Sequence, residues 1–194
     1  MVFDSSLQCQ IMKFSLLDKR RDTMDKSYSD NISEVIRNFL IKNKWQYVFD
    51  QATGIYGFDV FLADADKTIR YMVDVRRNTY TVIVNFSFKD NENYCSDNRL
   101  SEFTNLVNED LSTGNFYINH KNKEICYKLT HDLRKVSLEV DDVEQKIYYA
   151  AAKLQHYSTG YEAVLNGAEP TDSLAECRQK LVNRVFNNII RKKE

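Results

Sequence analysis

Between Asp97 and Leu129 the apolar residues change period once, from helical to alternating. Leu100, Phe103, Val107 and Leu111 recur at helical spacing, with Leu106 widening the stripe. Asp97 and Asn98 can accept bonds from the first free N–H groups of that helix, and Gly114 suits the left-handed residue at its end. Phe116 and Ile118 then alternate with polar neighbours. After a turn at His120, Lys121, Asn122 and Lys123 the chain returns through Ile125, Tyr127 and Leu129, which sets Tyr117 opposite Cys126. A helix followed by a tight β-hairpin is predicted here.

Upstream, Ile32, Val35, Ile36, Phe39 and Leu40 make one helical face behind the capping candidates Ser29, Asp30 and Asn31, and this helix should stop near Asn43. Trp45, Tyr47 and Phe49 alternate as a strand. In the following strand Phe58, Val60 and Leu62 share a face, and two further strands cover about 68–76 and 79–88. A turn centred on Arg77 and Asn78 puts Val73 opposite Val82 and Tyr71 opposite Val84. A turn across 64–67 puts Leu62 opposite Ile69 and Val60 opposite Tyr71. Every apolar residue then lands on one face, as a half-buried antiparallel meander requires. The other face carries Asp59, Arg70, Asp74, Arg76, Thr81, Asn85 and Ser87, yet Phe61, Met72 and Ile83 lie there too, with Met72 opposite Ile83. That apolar row calls for a cover, supplied either by this chain or by a partner.

Towards the C-terminus the stretch 133–139 is ambiguous. A long helix follows, with Val143, Ile147, Ala150, Ala151, Leu154, Tyr161 and Leu165 inward and Asp141 with Glu144 as a capping box. Asn166, Gly167 and Pro170 end it. The last helix begins at the box Ser173 to Glu176 and carries Leu174, Leu181, Val185, Phe186 and Ile189. It finishes on Arg191, Lys192 and Lys193, cations suited to the carbonyl end of a helix.

Charge and composition narrow the partners. With 27 basic and 28 acidic residues, no overall field favours nucleic acid or an anionic membrane. The basic pairs and runs sit at a hairpin tip and a helix end, where solvated charge is ordinary, so no nucleic-acid partner is expected. No apolar run is long enough to span a bilayer, and no membrane partner is expected either. Asp4, Gln8, Gln10 and Lys13 interrupt any secretory core, and Cys9, Cys95, Cys126 and Cys177 are too scattered for a metal site. Free thiols in a reducing cytoplasm are the expectation. Residues 1–30 read as an N-terminal extension in which Met24 is a rival start. Residues 31–167 read as the domain, and 168–194 as a helical appendage packing on it or on a partner. His120, His131 and His156 occupy a turn, a strand end and a helix. Cys126 near His120 or His131 is the least poor catalytic pair and reads as inert packing. No phosphate loop, cofactor motif or metal motif appears, so no enzyme, cofactor or metal is expected.

The order helix, antiparallel strands, helix, hairpin, helix, with Asn108 inside the second helix, Gly114, Phe116 and Ile118 beyond it and Ile125 with Tyr127 in the return strand, resembles the YbjN-type domain. That group is similar in fold to the class I chaperones of type III secretion, and the likeness covers 31–167. It implies an α+β fold with a curved antiparallel sheet and helices packed against it, here with an extra C-terminal helix. It also implies frequent dimerisation, no enzymatic activity and, in the chaperones, a client held extended along apolar grooves. The expected function is a protein-binding, chaperone-like or regulatory module that takes a protein or extended peptide. Trp45, Tyr47, Phe61, Met72 and Ile83 would build its groove, and the second stripe Phe103, Leu106 and Asp110 would build a homodimer interface. The alternative is a regulatory domain that senses a small ligand in a pocket between sheet and helices.

Overall fold

A computed structural model describes residues 28–62, 67–88, 98–134 and 137–191. The elements run α1 (Asp30–Lys42), β1 (Val48–Asp50), β2 (Ile55–Leu62), β3 (Lys67–Val75), β4 (Thr79–Ser87), α2 (Asn98–Glu109), β5 (Asn115–Asn119), β6 (Glu124–Asp132), α3 (Val140–Leu165) and α4 (Pro170–Arg191). The fold is α+β, with one open antiparallel sheet in the order β1-β2-β3-β4-β6-β5. The extension with Met24, the turn residues 63–66, the capping candidate Asp97, Cys9, Cys95, Lys192 and Lys193 lie outside the described residues. The described residues fall into two compact units, one holding those up to Ile83 and those within Leu129–Tyr148, the other those within Val84–Lys128 and those from Tyr149 onward.

In the first unit α1 forms as its pattern predicts. The Ser29 hydroxyl accepts from the Ile32 N–H at 3.3 Å, and Ile36, Phe39 and Leu40 are fully buried. Its end corrects the expected strand over Trp45, Tyr47 and Phe49. Lys44 takes φ +55°, its N–H bonds Ile41 C=O at 3.0 Å, and the Trp45 N–H bonds Leu40 C=O at 3.0 Å. That paired closure, with the Trp45 ring 5.4 Å from Phe39, is a Schellman cap with its usual apolar contact. Trp45 therefore belongs to the helix end, and β1 begins only at Val48.

The meander has the predicted faces in a different register. Val60 faces Ile69 and Phe58 faces Tyr71, whereas the sequence suggested Leu62 opposite Ile69 and Val60 opposite Tyr71. The offset is two residues, which returns every side chain to its original face, so alternation alone cannot detect it. The Arg76 N–H bonds Thr79 C=O at 2.8 Å and closes the expected turn at Arg77 and Asn78. Tyr56 lies buried against α1, where its hydroxyl and that of Ser33 are 2.6 Å apart. At the start of α3 the side chain that caps is Asp142, which accepts from the Glu139 N–H at 3.0 Å, in place of the expected Asp141 and Glu144 box.

In the second unit the β5–β6 hairpin has the predicted register, with Tyr117 opposite Cys126 and Phe116 opposite Tyr127. Helix α2 ends at Glu109, so Leu111 lies beyond it, and Gly114 does not cap the helix. It carries φ +71° just before β5, close under the Tyr127 ring. Between α2 and β5 sits a polar clamp. The Asn108 amide donates to Phe116 C=O at 3.0 Å, and its carbonyl accepts from the Phe116 N–H at 2.7 Å. Gly167, at φ +97°, ends α3 as expected, whereas Pro170 opens α4 three residues before the predicted start. Gly160 is the point of tightest helix packing: a Cβ there would overlap Phe103 and stand 2.8 Å from the Cys177 sulfur.

Candidate functional site

Strand alternation divides the candidate groove residues. On β2, Tyr56 and Phe58 are buried while Asp59 and Phe61 point the other way. On β3, Tyr71, Val73 and Val75 are buried while Arg70, Met72 and Asp74 alternate with them, and on β4 Ile83 lies between the buried Val82 and Val84. Phe61, Met72 and Ile83 thus share the outer face. Phe61 is 62 % exposed there, and Met72 and Ile83 are half-buried. The observed register breaks the expected row in one place. Met72 faces Gly57, Phe61 faces Thr68, and between those rungs lies the pair Asp59 and Arg70, 3.4 Å apart. A second pair, Arg76 with Asp74 at 2.9 Å, flanks the other side.

Trp45 and Tyr47 do not join that face. The Trp45 ring lies 5.6 Å from Phe58, 6.4 Å from Tyr71 and 6.2 Å from Tyr148, and the Tyr47 ring lies 5.6 Å from Tyr56. Both belong to the aromatic packing on the helix-facing side. The five residues therefore form two groups on opposite faces, because the capped turn at Lys44 redirects the chain that was read as a continuous strand.

The stripe read as a dimer surface is met inside the second unit. Phe103 is fully buried with its ring 4.8 Å from Tyr161. Asp110 accepts from Arg178 of α4 at 2.9 and 3.2 Å and from the Tyr157 hydroxyl at 3.3 Å. The Arg178 hydrogen bond holds the Asp110 carboxyl below its ordinary range. Leu106 is half-buried. A helix with two apolar stripes needs two partners, and α4 is the second one.

Two polar features concern chemistry. Cys126 is 2 % exposed, and burial pushes its thiol up to about 12, only partly offset by a hydrogen bond with Tyr117. Nearby Glu124 is buried and accepts from the amides of Asn119 and Asn122, each at 3.2 Å. His131 alternates to the other face of β6 from Cys126, so no thiol–imidazole pair forms between them. Its ring meets Tyr80 edge-on at 5.5 Å, and burial, then Lys146, lowers its pKa. The Tyr80 hydroxyl is buried without a hydrogen-bond partner among the described residues. Native protein treated with maleimide at neutral pH should label Cys126 at least about 100-fold more slowly than unfolded protein does, because so little thiolate is present. Peptide mapping by mass spectrometry reads the rate, and rapid native labelling would remove the inert reading.

Sequence reasoning gave Asn108 only as a matching position and missed its clamp on Phe116. An amide one residue from the end of a helix carries no spacing signal that names its partner. Among the described residues no group of three His, Cys, Asp or Glu is arranged to hold a metal ion. No helix among them is long and apolar enough to cross a membrane. No family model and no curated protein matches the chain. Among solved structures, an uncharacterized protein from Methanothermobacter thermautotrophicus is similar at 11 % identity and a TM-score of 0.47, over 69 % of this chain and 96 % of that one.

Proposed function

We propose that the chain is a non-enzymatic, protein-binding module, chaperone-like or regulatory, that takes an extended protein segment on the outer face of β2, β3 and β4. The observation that carries this reading is Phe61, a large apolar side chain left 62 % exposed on that face. Met72 and Ile83 add apolar area on the same face, with the pair Asp59 and Arg70 set between Phe61 and Met72 and the pair Asp74 and Arg76 at the margin. Apolar side chains interleaved with polar groups are an ordinary make-up for a protein-binding surface. The resemblance to the YbjN-type domain and to secretion chaperones supports the same reading. Trp45 and Tyr47 are left out of the surface because their rings pack on the helix-facing side. A rival reading, a small-ligand sensor, has the buried Tyr80 hydroxyl in its favour.

Phe61→Asp tests the proposal. Because the side chain is mostly exposed, the change should alter stability by no more than about 0.5 kcal/mol. Wild type and variant are each panned against a random peptide display library. Sequences enriched by the wild type and lost by the variant, at unchanged melting temperature, are expected. Identical enrichment by both proteins would sink the proposal.

A further inference from the structure

The loop between α2 and β5 is fixed from both sides. Asn108 holds Phe116 just beyond it, Gly114 turns it with φ +71°, and the Tyr127 hydroxyl donates to Thr113 C=O at 2.8 Å. Its two hydroxyl residues, Ser112 and Thr113, are exposed. On α3, Tyr149 and Lys153 lie about one helical turn apart and so share a face. The Thr113 and Tyr149 hydroxyls are 3.1 Å apart, and the Lys153 ammonium lies 5.4 Å from the centre of the Tyr149 ring. Ser112 and Lys153 also hydrogen-bond the phenol.

All of these side chains bring polar hydrogens, and none is a carboxylate. Of the Thr113 and Tyr149 hydroxyls only one can donate to the other, so one proton is left to donate outward, as are protons of Lys153. The phenol reports the local field. Burial alone would push it up, yet hydrogen bonding with Thr113, then the Lys153 charge and the Ser112 hydroxyl, holds it below its ordinary range. In the same unit burial pushes Tyr127 and Tyr157 up to about 12. Negative charge is thus favoured at Tyr149, in a chain whose net charge is −1.

We propose that Ser112, Thr113, Tyr149 and Lys153 form a binding site for a phosphate group, free or as a small monoester, the hydroxyls donating to its oxygens and the Lys153 ammonium meeting its charge. Phosphate suits the arrangement because several acceptor oxygens on one centre can meet donors arriving from a loop and a helix together. The loop is anchored before the ligand arrives, so binding has little ordering to do. No phosphate-loop motif announces the site in the sequence, because side chains supply the donors in place of the N–H groups of a glycine-rich turn.

The test is NMR of the full chain with isotope-labelled tyrosine rings, the Tyr149 signal being assigned by its loss in Tyr149→Phe. Inorganic phosphate and phenyl phosphate are each titrated at an ionic strength held constant with sodium chloride, and the same signal is followed against pH. A saturable shift is expected, together with a rise in the phenol pKa on binding, because an adjacent anion disfavours the phenolate. Lys153→Met should weaken binding about tenfold or more, and Ser112→Ala about threefold. Ser112 is exposed, so its variant keeps the wild-type melting temperature and the comparison holds even where Lys153→Met melts lower. Tighter binding of phenyl phosphate assigns the site to a monoester, and tighter binding of the inorganic ion to free phosphate. A signal that does not saturate, a phenol pKa that phosphate leaves unmoved, or equal affinity in the wild type and both variants overturns the proposal.

Discussion

Gly114→Ala should cost about 2–4 kcal/mol of folding stability, from left-handed backbone strain together with overpacking. The residue carries φ +71°, and a Cβ there would overlap the Tyr127 ring and hydroxyl and stand 2.8 Å from the Lys128 carbonyl oxygen. Neither neighbour gives way easily. The Tyr127 hydroxyl donates to Thr113 C=O at 2.8 Å, and the Lys128 carbonyl is part of β6. Gly167 supplies the control, because it has φ +97° and nothing within 4 Å of its added Cβ. Gly167→Ala should cost only the backbone part, about 1–2 kcal/mol. Thermal melts should show the Gly114 variant falling by roughly 5–15 °C and the Gly167 variant by much less. Equal losses would mean that the Tyr127 ring moves aside.

Asn108→Ala should cost a similar amount, about 2–4 kcal/mol, because it strips both backbone groups of Phe116 of their partner. Phe116 is 2 % exposed, so water cannot replace the amide without opening the packing around it. Asn108→Asp separates the two bonds. It keeps the acceptor for the Phe116 N–H but sets a carboxylate against the Phe116 carbonyl, now 3.0 Å from the amide nitrogen. Only the protonated Asp can donate there, which raises its folded pKa. Its stability relative to wild type should therefore be greatest at low pH and fall as pH rises through that pKa. Denaturant titrations of the two variants at several pH values measure this. A pH-independent Asp variant would show that the donated bond contributes little.

The local periods were legible because each element buries one face. The α1 stripe, the β5–β6 register and the glycine stop at Gly167 all follow from side chains that must alternate or recur to be covered. What the pattern hid is what its period leaves unchanged. A two-residue slip between β2 and β3 keeps every residue on its face, so Phe61 could not be placed opposite Thr68 from alternation. Trp45 was misread because Lys44 adopts a left-handed conformation that glycine usually announces. Phe103 and Asp110 were legible as a second surface but not as one already met, since nothing in α2 names α4 as its partner. Of the candidate site, the outer placement of Phe61, Met72 and Ile83 was legible, and its interruption by Asp59 and Arg70 was not.

The clamp on Phe116 has a consequence for solubility. β5 is a terminal strand of the sheet, and a terminal strand offers unpaired N–H and C=O groups on which another chain can add. Proteins commonly blunt such edges with charges, prolines or bulges, and β5, Asn115–Asn119, contains neither a charge nor a proline. At Phe116 the Asn108 amide presents one donor and one acceptor, as the backbone of a neighbouring strand would. The helix thereby fills one pairing position of the edge from within the chain and withholds it from cross-β growth.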